Sequence, residues 1–438
     1  MQSATRAPLR RAFRAFRNPN YRLFWFGQLV SLTGTWMQSV AQAWLVLRLT
    51  GSPLALGTVT LVQTTPFLLF SLFGGVIADR VRKRRLLLVT QTVMALDALT
   101  LATLTVSGRI TLPLIYVLVG LMGLANAVDN PTRQAFVSEM VGPDDLPNAV
   151  ALNSTLFNAA RLIGPALGGV TIAAVGVAGC FSLNALSFLA VIGGLLRMRP
   201  ERFFTAPRPA RGHMLRQIGE GLRYAVRTPD VALVVLLMAV IGTFGYNFQV
   251  IMPLLARFVL HTGPAGFGAL TSAVAAGSLI GSLAIAYTGR ARWQTLLMGA
   301  AGFSVCLLAV ALSHVWLVSM ALLAALGLCS IVFTATANTR LQLTTPPHLR
   351  GRVMSIYSLL FMGSTPVGSL IIGTLAERLG VQPAVAGAAA LCGVGVLASL
   401  AYARRVRHRL TPDAALTPAP PRARSAYAGG GAGRVSGP

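Results

Sequence analysis

Twelve apolar stretches, most of them about 20 residues or longer, run along this chain in two sets of six. At about 1.5 Å of rise per residue, such a stretch crosses the hydrocarbon core of a bilayer as a helix. The stretches fall at approximately 22–49, 53–78, 85–106, 111–137, 148–174 and 178–196, then 230–256, 266–288, 294–312, 315–342, 351–377 and 382–403. A soluble core does not hide a dozen such segments. The sequence therefore predicts an all-α membrane protein, with twelve transmembrane helices in two pseudo-symmetric six-helix bundles, 22–196 and 230–403. A doubled layout of this kind is that of a secondary transporter. A local echo supports duplication: Glu139, Pro143, Leu146 and Val150 recur at the same spacing as Gln342, Pro346, Leu349 and Val353.

The charges follow the spans. The chain has 37 Lys+Arg against 11 Asp+Glu, a formal net charge of +26. A soluble protein this basic suggests a nucleic-acid partner. Here the arginines sit in short loops and tails, so no nucleic-acid partner is expected. Arginines crowd 1–21, the loop after span two, the loop 197–229, the start of span eleven and the segment after span twelve. The alternate loops hold only Arg48, Arg109, Arg257 and Arg378. An excess of Lys and Arg marks the cytoplasmic side. Residues 1–21 then read as a basic cytoplasmic segment and 197–229 as a cytoplasmic loop. In that loop Leu215, Ile218, Leu222 and Val226 have helical spacing, the pattern of an amphipathic surface helix. Residues 404–438, rich in Ala, Pro, Gly and Arg, read as a disordered cytoplasmic tail. The four cysteines all fall within spans and the five histidines are scattered. No metal site or bound cofactor is expected, and neither an enzyme nor a sensor with a soluble domain fits.

The most specific string is Gly74-Gly75-Val76-Ile77-Ala78-Asp79-Arg80-Val81-Arg82-Lys83-Arg84-Arg85, between spans two and three. Small residues let helices touch. A carboxylate at a helix end accepts bonds from the N-terminus of a neighbouring helix, and the cations pair with an acid at another helix end. Gly75, Asp79, Arg80, Lys83 and Arg84 thus form a candidate gating latch, with Asp79 expected near the start of span eleven, around Val353 to Tyr357. The alternative is a positive anchor only. In span five, Gly164, Pro165, Gly168 and Gly169 form a helix-packing motif, which Gly363-Ser364-Thr365-Pro366-Val367-Gly368 matches loosely in span eleven.

The first string resembles the loop signature of the major facilitator superfamily, with Arg82 in place of its second glycine. Gly34-Thr35-Trp36-Met37-Gln38, Asp129-Asn130-Pro131-Thr132-Arg133-Gln134 and Asn153-Ser154 through Gly164-Pro165 look like its drug:proton antiporter-3 branch. The resemblance implies export of small, amphipathic molecules across the bacterial cell membrane by a multi-pass monomer with both termini cytoplasmic. The proton gradient would be the energy source. A facilitator or importer of a nutrient or siderophore is the alternative. It also implies that Glu139 completes the latch by pairing with Lys83 or a neighbouring arginine when the protein opens outward. Spans one, four, seven and ten would line the cavity.

On those spans lie polar residues at helical spacing: Gln28, Ser31, Thr35, Gln38 and Gln42, then Asn126, then Tyr246 and Asn247, then Thr334 and Asn338, with Asn158 on span five. Such faces must meet water or another helix. Three charges lie well inside spans: Asp97, Asp129 and Arg161. They are the candidates for proton coupling. Asp129 is favoured, because it shares a stripe with Asn126 and Arg133 on a cavity-lining span, and Arg161 is expected to tune its acidity.

Overall fold

The computed structural model describes residues 13–204, 222–288, 292–406 and 408. Among these residues the chain is helical with no strand. Helix α1 is Pro19–Thr50, α2 is Pro53–Arg80 and α3 is Lys83–Val106. The string Thr50-Gly51-Ser52-Pro53 explains the tight α1–α2 corner. Gly51 ends α1 in the left-handed conformation, and the Ser52 side chain caps α2 by accepting from the Ala55 N–H at 3.1 Å.

The next run, Leu112–Arg197, is hydrogen-bonded without a gap but is three helices. Gly142 (φ 72°) and Gly176 (φ 78°) leave helical geometry and turn the chain, a conformation that residues with a Cβ resist. These helices are α4 (112–141), α5 (143–175) and α6 (177–197). α7 begins as Pro229–Phe244, breaks over 245–247, resumes as Phe248–Leu254 and ends in a π turn, Leu255–Val259. Then follow α8 (Pro264–Thr288), α9 (Trp293–Leu312), α10 (Trp316–Thr344), α11 (Pro347–Leu379) and α12 (Val381–Arg405). Nine helical stretches among the described residues are long and apolar enough to cross a membrane. Counting Leu112–Arg197 as three makes eleven, and α1, diluted by its glutamines, is the twelfth. Of the proposed surface helix, Leu222 and Val226 lie in a described helical segment, 222–227, while Leu215 and Ile218 lie outside the described residues, as do 1–12 and 409–438.

The described parts of the arginine-rich segments all lie at one end of the bundle, called here the basic end; the α1–α2 corner lies at the far end. The first six helices meet the last six chiefly towards the far end. A Cβ on Gly57 of α2 would lie 2.5 Å from the Ser369 carbonyl of α11, and one on Gly373 2.9 Å from the Pro53 carbonyl. The Ser369 hydroxyl donates to the Gly57 carbonyl at 3.3 Å. On the other side of the molecule, a Cβ on Gly169 of α5 would lie 2.5 Å from the Pro264 carbonyl of α8, and the Ser272 hydroxyl donates to the Leu162 carbonyl at 2.7 Å. Trp44 stacks on Phe267, centroids 6.3 Å apart.

One stripe of α5 shows where this closure stops. Leu162, Pro165 and Gly169 pack against α8, whereas Asn158 and Ser154, one and two turns nearer the basic end, are exposed. On α2 and α11 Leu68 lies near Gly363, and nearer the basic end Phe70, Phe73, Val76 and Ile77 are exposed. The bundle is closed at the far end and open at the basic end.

A staple holds the second half at its basic end. Arg340 of α10 is 1% exposed, lies 3.1 Å from Asp230 of α7 and sits over the Trp293 ring of α9 at 4.1 Å. Removing one partner of a buried ion pair costs about 3–5 kcal/mol. Asp230→Ala is expected to lower the thermal midpoint of the purified protein by several degrees; an unchanged melting curve would contradict this role.

Candidate substrate cavity and gating sites

We place the roof of the candidate cavity where α5 meets α8 and α7 breaks. The break frees Tyr246, whose hydroxyl donates to the Ser330 carbonyl of α10 at 3.2 Å and accepts from the Ser330 hydroxyl at 3.1 Å. Asn247 is buried and donates to the Thr243 carbonyl at 2.7 Å. Gly368 lets α11 press on this break, since a Cβ there would lie 2.0 Å from the Thr243 carbonyl. Tyr246 packs edge-on to Phe361, and Phe361 stacks on Tyr357, with centroids 5.5 and 6.4 Å apart. In the first half, Trp36 of α1 meets Phe157 of α5 at 6.0 Å. Arg161, one turn beyond Phe157, is half-buried and has Tyr246 as an electrostatic neighbour across the halves.

The proposed cavity residues divide into two groups. Asn158 is exposed, while Asn126, Tyr246, Thr334 and Asn338 are partly exposed. The span-one stripe is different. Gln28, Ser31, Gln38 and Gln42 are buried inside the first half, and only Thr35 is partly exposed. Gln38 accepts from the Asn184 side chain of α6 at 2.7 Å, and Asn184 in turn accepts from Ser187 at 3.0 Å. The stripe is packed between helices rather than lining the opening: Gln38 finds its partner on α6, while the Gln28 amide nitrogen is buried with no partner among the described residues, so those four glutamine and serine positions are not cavity residues in this state.

The acids also depart from the expected arrangement. Asp129 is 0% exposed and lies between α4 and α3 rather than on the cavity. One carboxylate oxygen accepts from Thr90 at 2.7 Å and Gln91 at 2.9 Å, and the other pairs with Arg133. Arg133, not Arg161, is its cation. Asp97 is 3% exposed, and neither of its oxygens has a hydrogen-bond partner among the described residues. Around it Met94 and Ala98 of α3, Met122 and Ala125 of α4, and Ala185 and Phe188 of α6 form an apolar cluster.

The latch residues separate by role. Lys83 pairs with Glu139 at 2.6 Å, tying α3 to α4 within one half while the basic end is open. This pair was expected with the protein open outward; because both members belong to the same half, it does not depend on how the halves meet. Arg84 donates to the Leu195 and Leu196 carbonyls at 2.7 and 3.0 Å, closing the last turn of α6, where the helix dipole favours a cation. Asp79 and Arg80 are exposed, and Asp79 makes no ion pair with a described residue. Its expected contact with the start of α11 is absent because the halves part at this end. The close helix contact belongs to Gly74, whose Cβ would lie 2.2 Å from the Ala127 carbonyl; Gly75 borders open space. In the packing motif, Gly164 and Gly168 press on α1, and Pro165 and Gly169 press on α8 of the other half.

A counterpart at the far end was not singled out from the sequence. Glu377, near the end of α11, accepts from the Ser52 hydroxyl at 2.8 Å and the Leu54 N–H at 3.1 Å. It caps the N-terminus of α2 from the opposite half, where the dipole favours a carboxylate. Only the Asn/Ser-Pro cap pattern of Ser52-Pro53 hints that a helix start lies there. Glu377→Gln is expected to loosen this closure. In a background without native cysteines, Ser369→Cys should then react several-fold faster with an impermeant maleimide; an unchanged rate would remove Glu377 from the gate.

The sequence profile of a family described as transmembrane secretion effector matches residues 10–423, nearly the whole chain. The chain belongs to this family of the major facilitator superfamily. This secretion effector is a multi-pass membrane transporter. It is 26% identical over 369 residues to the multidrug efflux pump Tap of Mycolicibacterium fortuitum, across 82% of this chain and 90% of that protein. It is 25% identical over 401 residues to the enterobactin exporter EntS of Escherichia coli (strain SMS-3-5 / SECEC), across 90% and 94%. Its fold is similar to that of a bacterial homolog to the human lysosomal transporter Spinster in an inward-facing and occupied conformation. That match has a TM-score of 0.69 and 13% identity, over 91% of this chain and 99% of the other.

Proposed function

We propose that this secretion effector exports small, amphipathic molecules of drug or siderophore type across the cell membrane by alternating access, in exchange for protons. The observation that carries the reading is the confinement of the inter-half closure to the far end, with a polar and aromatic cavity below it. The positive-inside rule assigns the basic end and both termini to the cytoplasm. The state described here is then the loading state of an exporter. Cargo enters between α2, α11, α5 and α8, the basic end closes through Asp79 and α11, and the far-end contacts of Gly57, Gly169 and Glu377 part. The names of Tap and EntS, an efflux pump and an exporter, support the outward direction.

For proton coupling we favour Asp97 over Asp129. A coupling acid must exchange a proton between states. Asp129 is held by three partners, whereas an ionised Asp97 has none in this state, and burying an unpaired charge is costly. Loading and release of its proton would accompany the rearrangement of α3, α4 and α6.

The test is a panel of proteoliposome assays with an imposed pH gradient, using protein oriented with its basic end outward. An acidic lumen is expected to drive substrate into the lumen while protons leave. Equal accumulation with and without the gradient would indicate a facilitator instead.

A further inference from the structure

The cavity presents a cation and aromatic rings, but no acid. Arg161 lies about midway along α5, and its guanidinium forms no hydrogen bond or ion pair with any described residue. A guanidinium at that depth requires water or an anion. The chain does not supply the anion. Of its 11 acids, only Asp97 and Asp129 fall well inside spans. Asp129 is occupied by Arg133, and Asp97 lies in an apolar cluster away from the opening. A cationic cargo would therefore meet a like charge at the roof and no counter-ion. An anionic cargo would meet a free, planar donor suited to two parallel bonds with a carboxylate.

The flanking side chains add a second requirement. Phe157 lies one turn before Arg161 and pairs with Trp36, and in the other half Tyr246, Phe361 and Tyr357 form a second group of contacting rings. Rings at such spacings accept another ring edge-on or offset. The basic end carries arginines, among them the exposed Arg80 and Arg82, in a chain of net charge +26. Clefts lined by one sign of charge concentrate ligands of the other.

We propose that the cavity selects molecules that join a carboxylate or similar anion to an aromatic ring, with the anion on Arg161 and the ring between the walls of Tyr246–Phe361 and Trp36–Phe157. This rests on the export reading for the direction of movement, but not for binding itself. Two probes share one ring system and differ in charge: dansylglycine, an anion, and dansylcadaverine, a cation. Titrated by fluorescence against the full-length protein in nanodiscs, dansylglycine is expected to bind about tenfold or more tightly than dansylcadaverine, the size of one charge-assisted hydrogen bond. Arg161→Gln should erase the preference, and Arg161→Lys should keep most of it. Equal or tighter binding of the cation, binding of neither probe, or a preference that survives Arg161→Gln would overturn the proposal. If the preference holds but no pH gradient moves dansylglycine into proteoliposomes, the site stands and proton-driven export is what fails.

Discussion

Replacing Gly57 and Gly169 together by leucine is expected to hold the protein open at its far end and abolish transport. Each glycine meets backbone of the opposite half: Gly57 meets the Ser369 carbonyl, and Gly169 meets the Pro264 carbonyl and the Ala265 Cα at 2.9 Å. Backbone in a helix cannot rotate aside as a side chain can. Overpacking costs about 1–3 kcal/mol per site, so two such sites should slow far-end closure by roughly a hundredfold. Transport should fall accordingly, while Ser369→Cys becomes freely reactive from the far side. Gly75→Leu is the opposite control. Its Cβ meets nothing here, so it should leave this state intact and hinder closure of the basic end. Wild-type transport in the double leucine variant would mean that the far-end contacts do not form the gate.

Asp97→Asn is expected to abolish pH-driven accumulation while substrate exchange continues without a gradient. Asparagine keeps the volume and a polar group but cannot carry the proton. Asp129→Asn should behave differently. It leaves Arg133 without its carboxylate in a largely buried setting, a loss of about 3–5 kcal/mol for a buried pair. Its defect should therefore appear first as a lower thermal midpoint and poorer yield. Normal coupling in Asp97→Asn would exclude this acid, and a coupling defect in Asp129→Asn at wild-type stability would restore the other.

The sequence carried the architecture because apolar length, glycine turns and arginine-rich loops are local signals. Gly142 and Gly176 separate α4, α5 and α6 even where the hydrogen bonding runs on. What it did not carry is which neighbour a polar face meets. Periodicity groups Gln28, Ser31, Gln38 and Gln42 on one side of α1, but only the packed helices reveal that Asn184 of α6 takes Gln38. The same limit applies to Asp129, whose stripe on α4 turns towards Thr90 and Gln91 of α3. Glu377 reads as an ordinary acid at a span end until α2 of the other half is placed against it. The staple of Asp230, Trp293 and Arg340 joins three helices that no local pattern connects. The residues of the loop signature, in contrast, are legible one by one, yet their partners depend on the state.

Alternating access is tested most directly by pulsed electron resonance on two spin-label pairs in a background without native cysteines. Val81→Cys with Ser355→Cys spans the end of α2 and α11 at the basic end, and Thr50→Cys with Arg378→Cys spans the end of α1, at the α1–α2 corner, and α11 at the far end. In otherwise native protein the basic pair should be long and the far pair short. Adding Gly57→Leu and Gly169→Leu should reverse both at once, shortening the basic pair as the far pair lengthens. A basic pair that stays long while the far end opens, or two pairs that lengthen together, would contradict alternation between the two ends.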